Sequence, residues 1–294
     1  MSTRGAAGRK VAGKGGRAAR PDLHALYEAA VQNAEFEVEF IQRVFRRFAG
    51  RALSTLREDF CGTAAITCVF ARSRHARRAV GIDLHGPTLA AARTRHVAAL
   101  PPEASAKVEL VRADAVAPPA EVARGFDAVC ALNFSYWVFR ERATMLRYLR
   151  ACRDALADRG VLVLDFMGGA ECHVPTTDRS RRWLRGFGPF TYVWEHKTYD
   201  PITAHTTCAI HFEFPPDRRR PRAKRPRPIR DAFVYHWRLW QVAELRDLLE
   251  EAGYSRVECH WEGETERGEG DGVFRPRTRG TPDRSYVGYL VAQR

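Results

Sequence analysis

From Leu23 onward the apolar positions recur at helical spacing, through Leu26, Tyr27, Ala30 and Val31, with Pro21 and Asp22 opening the run. A second helical run follows through Phe36, Phe40, Ile41, Val44, Phe45 and Phe48 and stops at Gly50. Beyond it, short apolar runs alternate with helical ones. A strand ends at Arg57 and Glu58, a helix is predicted over 63–71, a strand over 79–83, a helix over 87–100 and a strand over 107–112. The segment 126–132 is almost wholly apolar, as a strand covered on both faces should be, and a helix over 141–156 and a strand over 160–165 follow it. Repeated strand–helix units of this kind predict a parallel sheet with helices on both faces. After Gly168 and Gly169 the period changes. Residues 190–197, 206–214 and 232–240 alternate apolar and polar positions and predict three antiparallel strands. A helix over 242–252 ended by Gly253, a strand over 256–261, a Gly-, Pro- and charge-rich connection over 263–284 and a strand over 285–292 complete the chain.

With 294 residues, 45% of them hydrophobic, the chain can bury one generous core with a small appended lid. No apolar run reaches the roughly 20 residues of a membrane helix, and no apolar stretch follows the basic start as in a secretory signal. Seven cysteines without CxxC spacing fit reduced thiols in a cytoplasmic protein better than a disulfide framework, and no metal-ligand spacing is present. The net charge of +13 is concentrated in two places. Residues 1–20 carry six basic residues and no acid, and 217–230 carry eight against Asp217 alone, which leaves the rest of the chain neutral. Both stretches lack the apolar residues needed to pack. The first reads as a disordered tail. The loop 215–230, kept extended by Pro215, Pro216, Pro221, Pro226 and Pro228, reads as a solvated linker or as a phosphate-docking element for nucleic acid.

The chemistry concentrates where the first strand ends, in Leu56-Arg57-Glu58-Asp59-Phe60-Cys61-Gly62-Thr63-Ala64. Small residues between a strand and a helix let a ligand approach the backbone closely. Asp83 ends the second strand, 21 positions after Gly62, where an acid can accept hydrogen bonds from ribose hydroxyls. Asp114 follows the third strand, placed to meet an adenine amino group. A nicotinamide enzyme would want Gly-x-Gly-x-x-Gly for its pyrophosphate, and this turn offers one glycine.

These residues resemble the class I S-adenosylmethionine-dependent methyltransferases over most of 50–292. That family's first loop reads acid-x-Gly-x-Gly-x-Gly, often with Cys-Gly-Thr at its centre. Glu58 takes the acidic place and Cys61-Gly62-Thr63 the centre, while Phe60 and Ala64 depart from the pattern by replacing glycines. Phe126-Asp127-Ala128-Val129 resembles the fourth strand, and residues 156–165 the fifth. The resemblance implies a Rossmann-like α/β fold with a seven-stranded, mostly parallel sheet, helices on both faces and an antiparallel β lid after strand five. The expected divisions are a tail over 1–20, a helical segment over 21–50, a core over 51–169, a lid over 170–240 and the rest of the core over 241–294. It implies S-adenosyl-L-methionine as cofactor, with S-adenosyl-L-homocysteine as product, bound by Glu58, Phe60, Cys61, Gly62, Thr63, Asp83, Leu84, Asp114, Ala115 and Asn133.

In open α/β sheets the ligand lies beyond the carboxyl ends of the strands, so Asn133-Phe134-Ser135-Tyr136-Trp137 should face the transferred methyl. The spacing is similar to the Asn-Pro-Pro-Tyr loop of amino-methylating nucleic-acid enzymes, with both prolines missing; the plainer reading is a substrate-pocket wall. In the lid, Tyr192, Trp194 and His196 share one face of a strand. Asn133, Tyr136, His196 and Arg238 are the catalytic candidates, with Glu171 entering from the end of strand five. The acceptor expected is a small molecule held under an aromatic lid. The competing readings are a nucleic-acid or protein methyltransferase docked by the basic segments, and a cofactor-binding module without catalysis.

Overall fold

A computed structural model describes residues 21–216, 225–265 and 270–294. The expected tail over 1–20 and the basic residues 217–224 lie outside the described residues.

Two helices open the chain, α1 (Leu23–Val31) and α2 (Ala34–Ala49). Asp22 caps α1 by accepting from the Ala25 N–H at 2.9 Å, and Gly50 ends α2 in the left-handed conformation at φ +73°. Then come β1 (Thr55–Asp59), α3 (Ala65–Ala71), β2 (Arg78–Asp83), α4 (Gly86–Arg95), the short α5 (Pro102–Ser105) and β3 (Val108–Arg112). They are followed by β4 (Phe126–Ala131), α6 (Arg142–Ala155) and β5 (Leu156–Gly168). The lid is β6 (Thr176–Leu184), β7 (Gly188–Tyr199), β8 (His205–Glu213) and β9 (Ile229–Arg238). The chain ends with α7 (Val242–Glu251), β10 (Arg256–Glu264), β11 (Gly270–Arg277) and β12 (Tyr286–Gln293).

The main sheet runs in the order β11-β10-β12-β5-β4-β1-β2-β3. The five strands from β3 to β5 are mutually parallel, and β12 lies antiparallel to β5. Successive side chains on one strand serve opposite layers. Val161 and Val163 pack with Phe40, Ile41, Phe45 and Phe48 of α2, whereas Leu162 and Leu164 pack with Met145 and Leu149 of α6 and Leu245 and Leu248 of α7. Strand order reverses between β1, whose neighbours are β2 and β4, and this is where such sheets open a ligand crevice.

The expected fold is present with two additions. The sheet has eight strands, because β11 forms inside the stretch read as a plain connection. Gly270–Arg277 has no apolar alternation of its own, but Phe274 packs edge-on to Tyr289 at 4.8 Å and beside Phe36. The lid has four strands instead of three. The additional β6 is the polar Thr-Thr-Asp-Arg-Ser-Arg-Arg-Trp-Leu at the sheet edge, where exposed charge is tolerated and periodicity is weak. The end of the loop 215–230 is also not free. Ile229 and Arg230 belong to β9, and the Arg225 guanidinium lies 4.3 Å from the Phe187 ring centroid and donates to the Phe187 and Pro189 carbonyls.

Candidate functional site

The loop after β1 keeps a glycine-like backbone with fewer glycines. Phe60, Gly62 and Ala64 all have positive φ, at 58°, 54° and 58°. A side chain in this region costs roughly 1–2 kcal/mol, so the loop's shape is retained at an energetic cost. The Phe60 ring does not crowd the crevice. It turns toward the α6 layer and lies 5.7 Å from Phe139 and 5.8 Å from Tyr148. A Cβ built on Gly62 would meet nothing within 4 Å, so the loop faces open space there.

Alternation along β1 sends its charges to different layers. Arg57 and Asp59, both buried, face α6, paired at 2.9 Å, and the Tyr148 hydroxyl donates to the same carboxylate at 3.1 Å. Glu58 points the other way and accepts from the Thr67 amide at 2.9 Å and from the Thr67 hydroxyl. It thereby caps the first turn of α3, where Ala64 has no side chain able to do so. Burial raises the Glu58 carboxyl to about 7, against the Thr67 bonds.

Asp83 ties the loop to β2. One carboxylate oxygen accepts from the Gly62 N–H at 2.8 Å and the other from the His85 N–H at 2.8 Å. Each oxygen retains a lone pair for a further donor. Leu84 beside it is 61% exposed, an apolar surface at the crevice rim. Asp114 is exposed and turns its own loop by accepting from the Val116 N–H, while Ala115 is buried. Cys61 is buried under the loop with Ala64 and Leu89, and burial holds its thiol well above the usual range. Thr63 is buried, its hydroxyl on the side of the Glu28 carboxylate. Open space over Gly62 and the spare lone pairs of Asp83 together fit a ribosyl ligand.

Asn133 and Phe134 follow β4, both with positive φ, and the Phe134 N–H donates to Asp165 at the end of β5 at 3.0 Å. They lead into a cavity of about 270 Å³ between this loop, α1, the end of β5 and the lid. Its wall is aromatic, with Tyr27, Phe134, Tyr192, Trp194, Tyr235 and Trp237. The lid strand β7 contributes Tyr192, Trp194 and His196 together, as alternate residues of one strand must. Glu171 and Asp178 supply carboxylates, and no Lys or Arg lines the cavity. The His196 Nδ1 meets the Cys208 thiol at 3.4 Å, and burial lowers the pKa of its ring. The Trp237 indole N–H is buried without a partner.

Two catalytic candidates stand elsewhere. Tyr136 is fully buried and donates its hydroxyl to the Asp165 carbonyl at 2.7 Å, because the turn after Phe134 rotates it into the core. Arg238 lies outside the cavity, 3.8 Å over the Trp240 ring, and pairs with Glu244 at 2.8 Å. Sequence reasoning missed Asp178, on the unpredicted β6, and Tyr27 and Val31, which α1 carries into the cavity. One group elsewhere, Glu195, His211 and Asp231, has the spacing of cation ligands. Its imidazole Nδ1 already accepts from the Asp231 N–H at 2.8 Å, and Lys197 lies against both carboxylates.

Residues 61–162 match a family described as a methyltransferase domain. No curated protein matches the chain in sequence. Among solved structures, the chain is similar to an amino pentose methyltransferase of Micromonospora echinaspora involved in calicheamicin biosynthesis, solved with S-adenosylmethionine bound. Identity is 19%, the match covers 96% of this chain and 100% of that one, and the TM-score is 0.64. A sugar N-methyltransferase of a Streptoalloteichus species matches at 22% identity over 99% of both chains, with a TM-score of 0.59. An S-adenosylmethionine-dependent methyltransferase of Clostridium acetobutylicum matches at 12% identity over 92% of this chain and 96% of that one, with a TM-score of 0.64. Residues 61–162 thus match a methyltransferase domain, and the fold of the described residues is the Rossmann-like α/β fold of these methyltransferase structures, with a four-stranded antiparallel sheet inserted after β5.

Proposed function

We propose that this protein catalyses S-adenosylmethionine-dependent N-methylation of a small, amine-bearing acceptor in the cavity under the lid. The observation that carries the reading is the cavity's composition, with Asp178 and Glu171, the latter also paired with the exposed Arg284, set among aromatic rings and no basic lining residue except the histidine His196. Carboxylates and ring faces both favour a cation. Two of the structural neighbours are named as an amino pentose methyltransferase and a sugar N-methyltransferase, which agrees with an amine acceptor.

Glu58 would shape the cofactor loop, Asp83 would hold the ribose, Leu84 and Ala115 would flank the adenine near Asp114, and Asn133 would stand between cofactor and acceptor. When bound, S-adenosylmethionine supplies a methyl group on a sulfonium that leaves as a neutral thioether. An acceptor nitrogen held at the cavity end of Asn133 would take that methyl group, and no residue of the chain need donate a proton to the leaving side. The nitrogen must be unprotonated to attack. Asp178 and Glu171 attract the ammonium form, and the neutral ring of His196 accepts its proton. The aromatic wall excludes water and aligns the nucleophile, which is most of what this displacement asks of a protein. The Trp237 indole N–H is a donor for an oxygen of the acceptor.

Turnover of a panel of amino sugars and small amines, each paired with the matching alcohol, tests the reading. Amines should be methylated and Asp178→Asn should lower kcat/KM by about 10- to 100-fold, the worth of a charged hydrogen bond. Faster methylation of the alcohols, or no loss in Asp178→Asn, would overturn it.

A further inference from the structure

A second pocket, of about 370 Å³, lies beside β12. Ser285 and Val287 line the acceptor cavity, whereas Tyr286 between them lines this pocket, so the two sites use opposite faces of one strand. The Tyr286 ring lies across Gly168, where any side chain would collide with it, and 4.6 Å from the Trp261 ring. Loop 278–282 folds over that floor, with Gly280 seated on Trp261.

Three arginines line the pocket, Arg246 from α7, Arg277 from the end of β11 and Arg279 from the loop, and no acid does. Among the described residues none of the three has an ion-pair or hydrogen-bond partner. Their neighbours are paired: Arg275 with Asp271 at 2.7 Å, Arg284 with Glu171 at 3.2 Å, and Arg256 with Glu258. Three like charges brought to one pocket by α7 and by the stretch that leaves β11 repel one another unless an anion joins them. Guanidinium forks match phosphate oxygens two at a time, which makes arginine the residue suited to such a ligand.

We infer that this pocket is a binding site for a phosphorylated ligand, clamped by Arg246, Arg277 and Arg279 above the Trp261–Tyr286 floor. The site is separate from the cofactor crevice and from the acceptor cavity. Inorganic pyrophosphate titrated calorimetrically into the full chain at fixed ionic strength tests it, with uridine diphosphate as a second probe. Wild type should saturate with one site, and Arg277→Ala/Arg279→Ala should bind at least tenfold more weakly while still binding S-adenosylhomocysteine. Arg246→Gln, alone on its helix, should weaken binding in the same direction if the double variant does not fold. Tighter binding of the diphosphate nucleotide than of pyrophosphate would identify a nucleotide stacked on the aromatic floor, and equal binding a bare phosphate group. Absence of saturation, or undiminished binding by the folded double variant, overturns the inference and places any affinity on the other basic segments. Neither titration requires methyl transfer, so its failure leaves the methyltransferase reading standing.

Discussion

Replacing Phe60 by alanine and by glycine reverses the usual order of those two residues. At an ordinary position glycine is less stable than alanine by roughly 0.5–1 kcal/mol, because the unfolded chain gains freedom. Phe60 sits at φ +58°, where a Cβ costs roughly 1–2 kcal/mol that glycine does not incur. The two effects oppose, and the second is larger, so Phe60→Gly should be more stable than Phe60→Ala by about 0.5–1 kcal/mol. Both should fall below wild type. The ring is half-buried against Phe139 and Tyr148, and full burial would be worth about 3–5 kcal/mol in a Phe→Ala change, so about half of that is expected here. Thermal unfolding of the three proteins without cofactor reads the ranking, since about 1 kcal/mol moves Tm by roughly 2–4 °C in chains of 150–250 residues and somewhat less in a longer one. Calorimetry with S-adenosylhomocysteine reads the second half of the argument. Affinity should be similar in wild type and Phe60→Gly, because the ring points away from the crevice. If Phe60→Ala proves as stable as Phe60→Gly, the loop in solution is not left-handed at this position and the account of the lost glycines is wrong.

Other changes test other parts of the structure. Asp83→Ala removes the acceptor of the Gly62 and His85 N–H groups, and S-adenosylhomocysteine binding measured by calorimetry should weaken by about 1–3 kcal/mol. Asp59→Asn leaves the fully buried Arg57 without its charge partner and should cost about 3–5 kcal/mol in denaturant unfolding, with Arg57→Met/Asp59→Leu milder than either single change. Burial raises Glu37 to about 7, with one carboxylate oxygen unpartnered. Its stabilising neutral form is therefore lost as pH rises from about 4.5 through 7, and Glu37→Gln should gain stability over wild type at pH 8 but little at pH 5 in urea titrations. His196 has the opposite sign. Its folded pKa is lowered by burial, so its contribution holds above the unfolded value of about 6.5 and is lost on acidification below it, and His196→Phe should flatten that acid limb in thermal scans.

The parallel half of the fold was legible because each of its elements carries its own period. The Val161–Leu164 alternation and the α2 stripe from Phe40 to Phe48 state which layer each residue serves before any contact is known. β6 and β11 were illegible for the converse reason. Both are edge strands whose pairing is set by the strand beside them, and their own residues are polar or carry glycine. The cofactor loop was found because strand, turn and distant acid fall at a fixed spacing, and the structure joins them through the Gly62–Asp83 bond. Its adaptation to two missing glycines was not legible, since nothing local announces a left-handed phenylalanine. Tyr136 was misplaced because a three-residue shift along a turn decides between cavity and core.

The proposed acceptor cavity has no contiguous motif at all. Tyr27, Asn133, Glu171, Asp178, His196, Trp237 and Val287 come from seven separate segments, and only the packing of α1 and the lid against the carboxyl ends of β4 and β5 gathers them. Methyl transfer permits this dispersal. The leaving group requires no acid, so the reaction fixes no spacing between catalytic side chains, and the wall can be assembled from whichever elements reach it. What the reaction does fix is the charge balance. On the proposed reading, a cavity that attracts an ammonium through Asp178 and Glu171 also stabilises the protonated, unreactive form. The same carboxylates that aid capture must therefore lower the fraction of acceptor able to attack. The consequence is a rate that rises with pH at saturating acceptor, and a proton acceptor on the cavity wall is worth having for the same reason. In the proposed reaction His196 would take that role: its ring lines the cavity, and burial favours the neutral form, which leaves it free to accept a proton while making it a weaker base.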